Sequence, residues 1–197
     1  MNETSGNLAL KPPPEWKPRT ELINGKVVAM SPRPTIYHTW VAASIYRIFD
    51  DYLRGRLCKP FPDGVDLYLT DMDHYIPDMM VVCDPDKVKP NGVYGAPDLV
   101  VEVLSPGTAL NDRTRKMETY QRCGVQEYWI VSPGDVTVEQ YVLEEGKFVL
   151  REIYTLYDGY MLEHMEEEDR AAVVSEFHCT LFDDLTIRLA DIFERVV

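Results

Sequence analysis

The chain contains 197 residues and has a mass of 22.7 kDa, the size of one compact domain. Hydrophobic residues make up 45% of it, which excludes a disordered or low-complexity protein. The formal net charge of −13 argues against general attraction to nucleic acid. Residues 125–197 carry 5 basic and 17 acidic side chains, net −12, whereas the first 124 residues carry −1. We therefore expect a site for an anionic substrate before position 125.

The cysteines and the N-terminal residues indicate in which cellular compartment the protein is expected. Cys58, Cys83, Cys123 and Cys179 form no C-x-x-C pair, and no histidine lies at zinc-ligand spacing, so we expect buried thiols in a reducing environment. Residues 1–18 are polar and proline-rich without the apolar core of a signal peptide, and no stretch approaches the ~18 apolar residues of a membrane span. The sequence predicts a cytoplasmic protein with no membrane partner, an N-terminal arm at 1–17 and one domain at 18–197.

The first half of the chain predicts a hairpin, a helix and two strands. Two apolar runs in residues 21–30 flank Asn24-Gly25, a dipeptide typical of a tight hairpin turn. Residues 35–53 place apolar side chains three and four positions apart and lack internal Pro and Gly, which predicts an amphipathic helix ending at Gly55. Strands are predicted at 65–69 and 78–83, and a loop at 84–96.

A strand, helix and strand follow at residues 98–131. The segment 98–104 is the strongest strand pattern in the chain, and Ser105-Pro106-Gly107 interrupts it. Thr108 or Asn111 can cap a helix that runs to about Cys123, where Gly124 suits a left-handed end. With a strand at 125–131, this unit predicts a right-handed parallel crossover. Residues 136–143 and 148–154 predict an antiparallel hairpin near the C-terminus.

Glu102 is the most informative position, because a glutamate inside an apolar strand needs a cation, a hydrogen-bond donor or a proton. Asp78 opens another apolar strand, and if the two strands are neighbours, both acids could bind one Mg²⁺ ion. Lys116 lies on the following helix, with Asp112 one turn before it and Tyr120 one turn after it. Two acids and a lysine are a plausible set for phosphodiester hydrolysis.

These residues resemble a bacterial family of restriction-endonuclease-like proteins in the PD-(D/E)XK nuclease superfamily. Glu21, Asn24-Gly25 and His38 match its opening segment. The other matching segments are residues 75–78 (YIPD), 97–106 (PDLVVEVLSP), 112–120 with Asp112, Lys116 and Tyr120, and 124–131 (GVQEYWIV). The resemblance covers roughly residues 18 to 190.

The resemblance implies a mixed α/β, restriction-endonuclease-like fold: a central mixed β-sheet flanked by helices, with an N-terminal and a C-terminal hairpin. It also implies that Asp78, Glu102 and the backbone carbonyl of Val103 bind Mg²⁺ or Mn²⁺. In the superfamily's E-x-K pattern the lysine comes two residues after the acid, where this chain has Leu104. Lys116 would then have to reach the site from the helix. His38, Glu21, Asp112 and Tyr120 are supporting candidates.

Each candidate also has a structural interpretation. Glu102 could simply pair with a helix lysine or arginine, and Asp78 could be a turn acid after proline. Lys116 stands among basic residues on a helix surface that we expect to be exposed. His38 could be a packed, hydrogen-bonded residue and Glu21 a solvated hairpin acid.

The leading functional hypothesis is a Mg²⁺-dependent nuclease acting on DNA as a homodimer, with the acidic C-terminal third turned away from the duplex. One alternative is a nuclease fold without activity that binds a protein partner through its acidic C-terminal third. Another is a hydrolase of a small phosphoester, which predicts a closed pocket.

Overall fold

The computed structural model describes residues 19–30 and 34–196, so the arm predicted at 1–17 lies outside the described residues. The strands are β1 (Thr20–Ile23), β2 (Lys26–Ala29), β3 (Lys59–Pro62), β4 (Leu67–Thr70), β5 (Asp73–Tyr75), β6 (Met79–Val82), β7 (Val88–Lys89), β8 (Gly92–Tyr94), β9 (Leu99–Val103), β10 (Glu127–Ser132), β11 (Thr137–Glu144), β12 (Lys147–Thr155), β13 (Glu176–His178) and β14 (Thr186–Arg188). The helices are α1 (Ile36–Leu53), α2 (Ala109–Asn111), α3 (Met117–Cys123), α4 (Gly159–His164), α5 (Glu167–Ala171) and α6 (Leu189–Phe193). A π-helical segment, Asp112–Lys116, joins α2 to α3.

The central sheet has the strand order β12-β11-β10-β9-β6-β3. β9 and β10 are parallel, and the helical residues 109–123 connect them, so the predicted crossover is confirmed. β11 and β12 form the predicted antiparallel hairpin. Every residue of β9 is buried, as its mainly apolar sequence indicated. This sheet is mixed and flanked by helices, as expected.

A second, smaller sheet has the order β2-β1-β5-β4-β8-β7. The predicted hairpin is present as β1 and β2, and Asn24 and Gly25 both have positive φ values, of 49° and 72°, as its tight turn requires. β1 also pairs with β5, which places the hairpin against the segment that leads into β6. The hairpin therefore packs beside Asp78.

The two faces of the central sheet bury separate apolar clusters. On one face, α1 packs Val41, Ile45 and Phe49 against alternate residues of β6, β9 and β10, such as Trp129. Thr35 caps this helix: its hydroxyl accepts a hydrogen bond from the His38 amide. On the other face, the helix at 109–123 and the small sheet bury a second cluster. Because strand side chains alternate between faces, Glu102 points to this second side.

The helix at 109–123 contains a π turn that the sequence did not predict. It ends as expected: Gly124 adopts φ 90°, and its amide donates to the carbonyls of Tyr120 and Gln121. The π segment begins and ends with buried charged side chains, Asp112 and Lys116. Single π turns inside α-helices are frequently found at functional sites.

Glu127 is a second buried acid in the central sheet, and it fixes the C-terminal segment. Its Oε1 accepts hydrogen bonds from Trp129 Nε1 and Gln140 Nε2, both at 2.6 Å. Its Oε2 accepts one from the Thr180 amide at 2.8 Å. Neutral donors alone therefore satisfy this carboxylate among the described residues.

Three predictions of local structure were wrong. Residues 84–96 are not a plain loop, since a 3₁₀ turn at Pro85–Lys87 and the strands β7 and β8 lie within them. β3 was missed because its sequence, KPFP, carries two prolines, which are tolerated there because β3 is an edge strand. The cysteines are not all free thiols: Cys58 and Cys83 form a disulfide. They flank the Lys59–Val82 pair, so the ladder of β3 and β6 brings them face to face.

No helix in the described ranges, 19–30 and 34–196, is long and apolar enough to cross a bilayer.

Candidate active site

The pairing of β6 with β9 brings Asp78 and Glu102 to the same place. These strands are antiparallel neighbours, with Met79 opposite Val101. Continuing that register by one residue sets Asp78 opposite Glu102. The Oδ2 atom of Asp78 also accepts a hydrogen bond from the Val103 amide at 2.7 Å. The carboxyl groups that the sequence analysis paired therefore stand at one end of two adjacent strands.

Glu102 is only 3% exposed, and the protein itself supplies its partners. Its Oε1 accepts hydrogen bonds from Lys116 Nζ at 3.1 Å and from the Tyr120 hydroxyl at 2.7 Å. Burial raises the pKa of Glu102 well above its usual value, Lys116 opposes that rise, and the charges of neighbouring acids add to it. Because a lysine already compensates this carboxylate, its burial alone does not require a metal ion.

Lys116 lies among three carboxylates. Its Nζ is 2.9 Å from Glu21 Oε1, 3.1 Å from Glu102 Oε1 and 3.6 Å from Asp112 Oδ1. Burial by itself would lower the pKa of Lys116, but these three acids outweigh it and raise the pKa well above the usual value. The expectation of an exposed lysine was wrong, since Lys116 is 3% exposed. One buried ammonium faces three buried acids, so the cluster holds more acidic than basic groups.

Asp112 shows this excess most directly. It is 1% exposed, and among the described residues neither carboxylate oxygen has a hydrogen-bond partner. Burial raises the pKa of Asp112, and Lys116 opposes the rise. The contact of Asp112 with Lys116 Nζ is the longest of the three, at 3.6 Å, so Asp112 is the least well compensated acid of the cluster.

His38 contacts the other acid, Asp78. Its Nε2 lies 3.3 Å from Asp78 Oδ2, while its Nδ1 is buried without a partner among the described residues. Burial would lower the pKa of His38, but the bond to Asp78 and the carboxylate charge raise it by more, which favours the imidazolium. His38 is thus a packed, hydrogen-bonded histidine, and its partner is one of the candidate acids.

Glu21 reaches the site from the hairpin. Its Oε1 accepts a hydrogen bond from the Ile76 amide at 3.1 Å as well as the contact from Lys116. It is 7% exposed, so the interpretation as a solvated hairpin acid was wrong. The sequence reasoning also missed Tyr75, whose ring centroid lies 5.7 Å from Lys116 Nζ. The local sequence, Tyr75-Ile76-Pro77, does not indicate that the Tyr75 ring faces Lys116, which lies 41 positions later in the chain.

The chemistry of the donors fits a small, hard divalent cation. Mg²⁺ is commonly held by one or two carboxylates and completes its shell with water and phosphate oxygens. Asp78, Glu102 and the Val103 carbonyl are such donors, and the register of β6 and β9 sets the two acids opposite each other. Within the described residues, no group of three or more His, Cys, Asp or Glu side chains is arranged to hold a metal ion. The fit therefore rests on two carboxylates and a main-chain oxygen.

Comparison with known proteins places this chain in a family. It is 29% identical over 133 residues to the uncharacterized protein slr1290 of Synechocystis sp., covering 64% of this chain and 70% of that protein. A solved structure, a putative nuclease belonging to DUF820 from Anabaena variabilis, superposes with a TM-score of 0.69 at 19% identity, covering 93% and 94% of the two chains. This likeness confirms the predicted nuclease-like fold. The model of the Uma2 family, described as putative restriction endonuclease, matches residues 8–174, and the chain therefore belongs to that family.

Proposed function

We propose that the protein is a metal-dependent endonuclease-like phosphodiesterase that acts on DNA. Membership in its family supports a nuclease-like function. The observation that carries the finer proposal is the position of Lys116: a buried ammonium 3.1 Å from Glu102, whose strand neighbour in register is Asp78. This neighbourhood of two acids and one lysine supports the proposed phosphodiester hydrolysis.

In this proposal Asp78, Glu102 and the Val103 carbonyl hold Mg²⁺ or Mn²⁺. The bound ion would supply a Lewis acid and a water of lowered pKa. Lys116 orients the attacking water and neutralises charge that develops on the phosphate oxygens. Its ammonium remains protonated for this role, since the surrounding acids raise its pKa. Tyr120 holds Glu102 in place through its hydroxyl, and the bond of Asp78 with the Val103 amide fixes the second acid.

The position of Lys116 supports a departure from the E-x-K spacing. The residue two positions after Glu102 is Leu104, which packs at the margin of the apolar cluster on that face. Lys116 instead reaches Glu102 from the π turn in the next helix. The helix thus supplies, through Lys116, the positive charge that is missing at the strand position of Leu104.

The net charge of −13 makes the approach of DNA unfavourable for a single chain. We propose a homodimer that turns its acidic C-terminal parts away from the duplex and presents two nearly neutral faces to it. Such a pair also suits cutting of both strands.

The test is a cleavage assay on supercoiled and linear DNA with Mg²⁺ or Mn²⁺. Wild type is compared with Glu102→Ala, Lys116→Ala and the control Glu139→Gln, which alters an acid paired with Arg113. We expect Glu102→Ala to abolish metal-dependent cleavage. Lys116→Ala should impair turnover more than metal binding. Equal cleavage by wild type and Glu102→Ala would refute the proposal.

A second candidate is a non-catalytic module that binds a protein partner through its acidic surface. The observation that favours it is that Lys116 and Tyr120 already satisfy Glu102. This candidate predicts no binding of Mg²⁺ or Mn²⁺ in calorimetry and no cleavage. A cavity of about 420 Å³ near Asp66, Lys89 and Asn91 includes none of the candidate residues, so this cavity gives no support to a small-phosphoester hydrolase.

A further inference from the structure

Lys116 and a divalent cation would share one carboxylate. Both protein bonds to Glu102 end on Oε1, and the lysine contact is 3.1 Å long. A dication bound to Glu102 would repel this ammonium and would weaken the attraction of the carboxylate for it. Lys116 is 3% exposed and cannot rely on water instead. In a loaded site it therefore needs another anionic partner within reach.

Glu21 is placed to be that partner. Its Oε1 is the nearest acid oxygen to Lys116 Nζ, at 2.9 Å. The Ile76 amide holds the same oxygen at 3.1 Å, so the carboxylate is fixed from a second side. Glu21 belongs to β1, a different element from the strands of Asp78 and Glu102, and β1 is paired on both edges, with β2 and β5. Binding of a metal at the strand ends would leave Glu21 where it is.

Asp112 serves this purpose less well. Its oxygen lies 3.6 Å from Lys116 Nζ and receives no hydrogen bond among the described residues. It also comes from the same helix as Lys116, one turn earlier, and so moves with the lysine. Glu21 is thus the anchored partner of the two.

We infer that Glu21 is a positioning residue that keeps Lys116 in the site when a divalent cation takes Glu102, an inference that rests on the proposed function. Without Glu21, the lysine stays on Glu102 and competes with the metal. Through the Ile76 amide, the same carboxylate also steadies the short segment that leads to Asp78. Glu21 therefore links the lysine, the hairpin and one acid of the proposed metal site.

The experiment is titration calorimetry with Mg²⁺ and Mn²⁺ on the full chain, in a double-mutant cycle of Glu21→Gln and Lys116→Gln. Glutamine at 21 retains an acceptor for the Ile76 amide, and circular dichroism checks that each variant folds. We expect Glu21→Gln to weaken metal binding by about tenfold, as outer-shell partners of metal ligands typically do. In the Lys116→Gln background the same change should alter affinity by less than about twofold, because no lysine competes. Glu139→Gln is the matched control and should bind like wild type.

Simple loss of negative charge predicts a different pattern: the same weakening in both backgrounds. That result, or no weakening at all in Glu21→Gln, would overturn the inference while leaving the proposed metal site intact. Glu21→Asp adds an independent check, because it keeps the negative charge but shortens the side chain by one methylene and so moves the carboxylate away from Lys116. It should weaken binding only where Lys116 is present, and unchanged affinity would count against the inference. A wild type that binds neither ion would instead refute the proposed function itself, and the inference with it.

Discussion

Replacing Tyr120 by phenylalanine tests whether Glu102 is ionised in the folded protein. Tyr120 is fully buried, and its hydroxyl donates to Glu102 Oε1 at 2.7 Å. Tyr128 offers a matched control: it is equally buried, but its hydroxyl donates to the neutral main-chain carbonyl of Asp112 at 2.9 Å. Each change to phenylalanine removes one hydroxyl and one hydrogen bond and retains the ring. The two variants thus differ in the charge of the acceptor.

The expected difference follows from the strength of each bond. A hydrogen bond to a charged group stabilises a protein by about 1.5–3 kcal/mol, and one between neutral groups by about 0.5–1.5 kcal/mol. We expect Tyr120→Phe to lower the free energy of unfolding by about 2 kcal/mol at pH 8 and Tyr128→Phe by about 1 kcal/mol. Ring packing should be unaffected, because Tyr120 contacts Tyr75 and Tyr128 through its ring and not through its hydroxyl.

The pH dependence sharpens this test. Burial raises the pKa of Glu102, so the carboxyl takes up a proton in the folded protein at a pH where the unfolded chain is still ionised. The contribution of Glu102 to the free energy of unfolding therefore falls as the pH rises from its unfolded pKa to its raised folded pKa. Below the folded value the Tyr120 bond ends on a neutral acid, and the difference between the two variants should disappear.

The assay is urea unfolding at several pH values, followed by tryptophan fluorescence, to which Trp129, buried in the central sheet, contributes. Equal losses for Tyr120→Phe and Tyr128→Phe at pH 8 would show that Glu102 is neutral there. The ion pair with Lys116, and the proposed role of Glu102 as a metal ligand at that pH, would then be wrong.

Three further predictions concern the framework. Glu127→Gln replaces one acceptor oxygen with an amide NH₂ group that faces other hydrogen-bond donors. It should lower the free energy of unfolding in urea by about 2 kcal/mol or more and should speed hydrogen exchange in residues 177–193. Gly92→Ala should lower Tm by several degrees, because the residue has φ +148° and a Cβ would meet the Asp66 carbonyl oxygen at 2.5 Å. Reduction of the Cys58–Cys83 disulfide should lower the free energy of unfolding by about 3–4 kcal/mol, since it closes a 25-residue loop, and the double serine variant should not respond to the reductant.

The sequence was sufficient where one local rule decides the structure. The Asn24-Gly25 turn, the periodic helix α1 and the glycine end at Gly124 all follow from backbone preferences and apolar spacing. The parallel crossover follows from strong strands on both sides of a helix. The short strands at the sheet edges could not be predicted, because their pairing is set by tertiary neighbours and not by their own residues.

The candidate site was predicted in its members but not in their contacts. Spacing placed Asp112, Lys116 and Tyr120 on one helix face, and all three are buried toward Glu102. No sequence rule could foresee that Glu21, 95 positions before Lys116, would make the shortest contact with it. That pairing depends on how the small sheet packs against the helix, which is a long-range property of the fold.

The buried acids of this protein show which electrostatic observation bears on function. Glu127 is wholly buried and is satisfied by neutral donors, so burial of a carboxylate in a strand does not by itself imply a metal. Glu102 has a lysine partner, and the same reasoning applies to it. The distinguishing feature is the balance within the cluster: Lys116 is shared among three carboxylates, and Asp112 accepts no hydrogen bond from the residues that the structure describes. Replacing one of these acids with an uncharged residue would increase stability, because an unpaired buried charge is costly. In the proposed function, the bound metal ion would supply a second positive charge that offsets this surplus of acids.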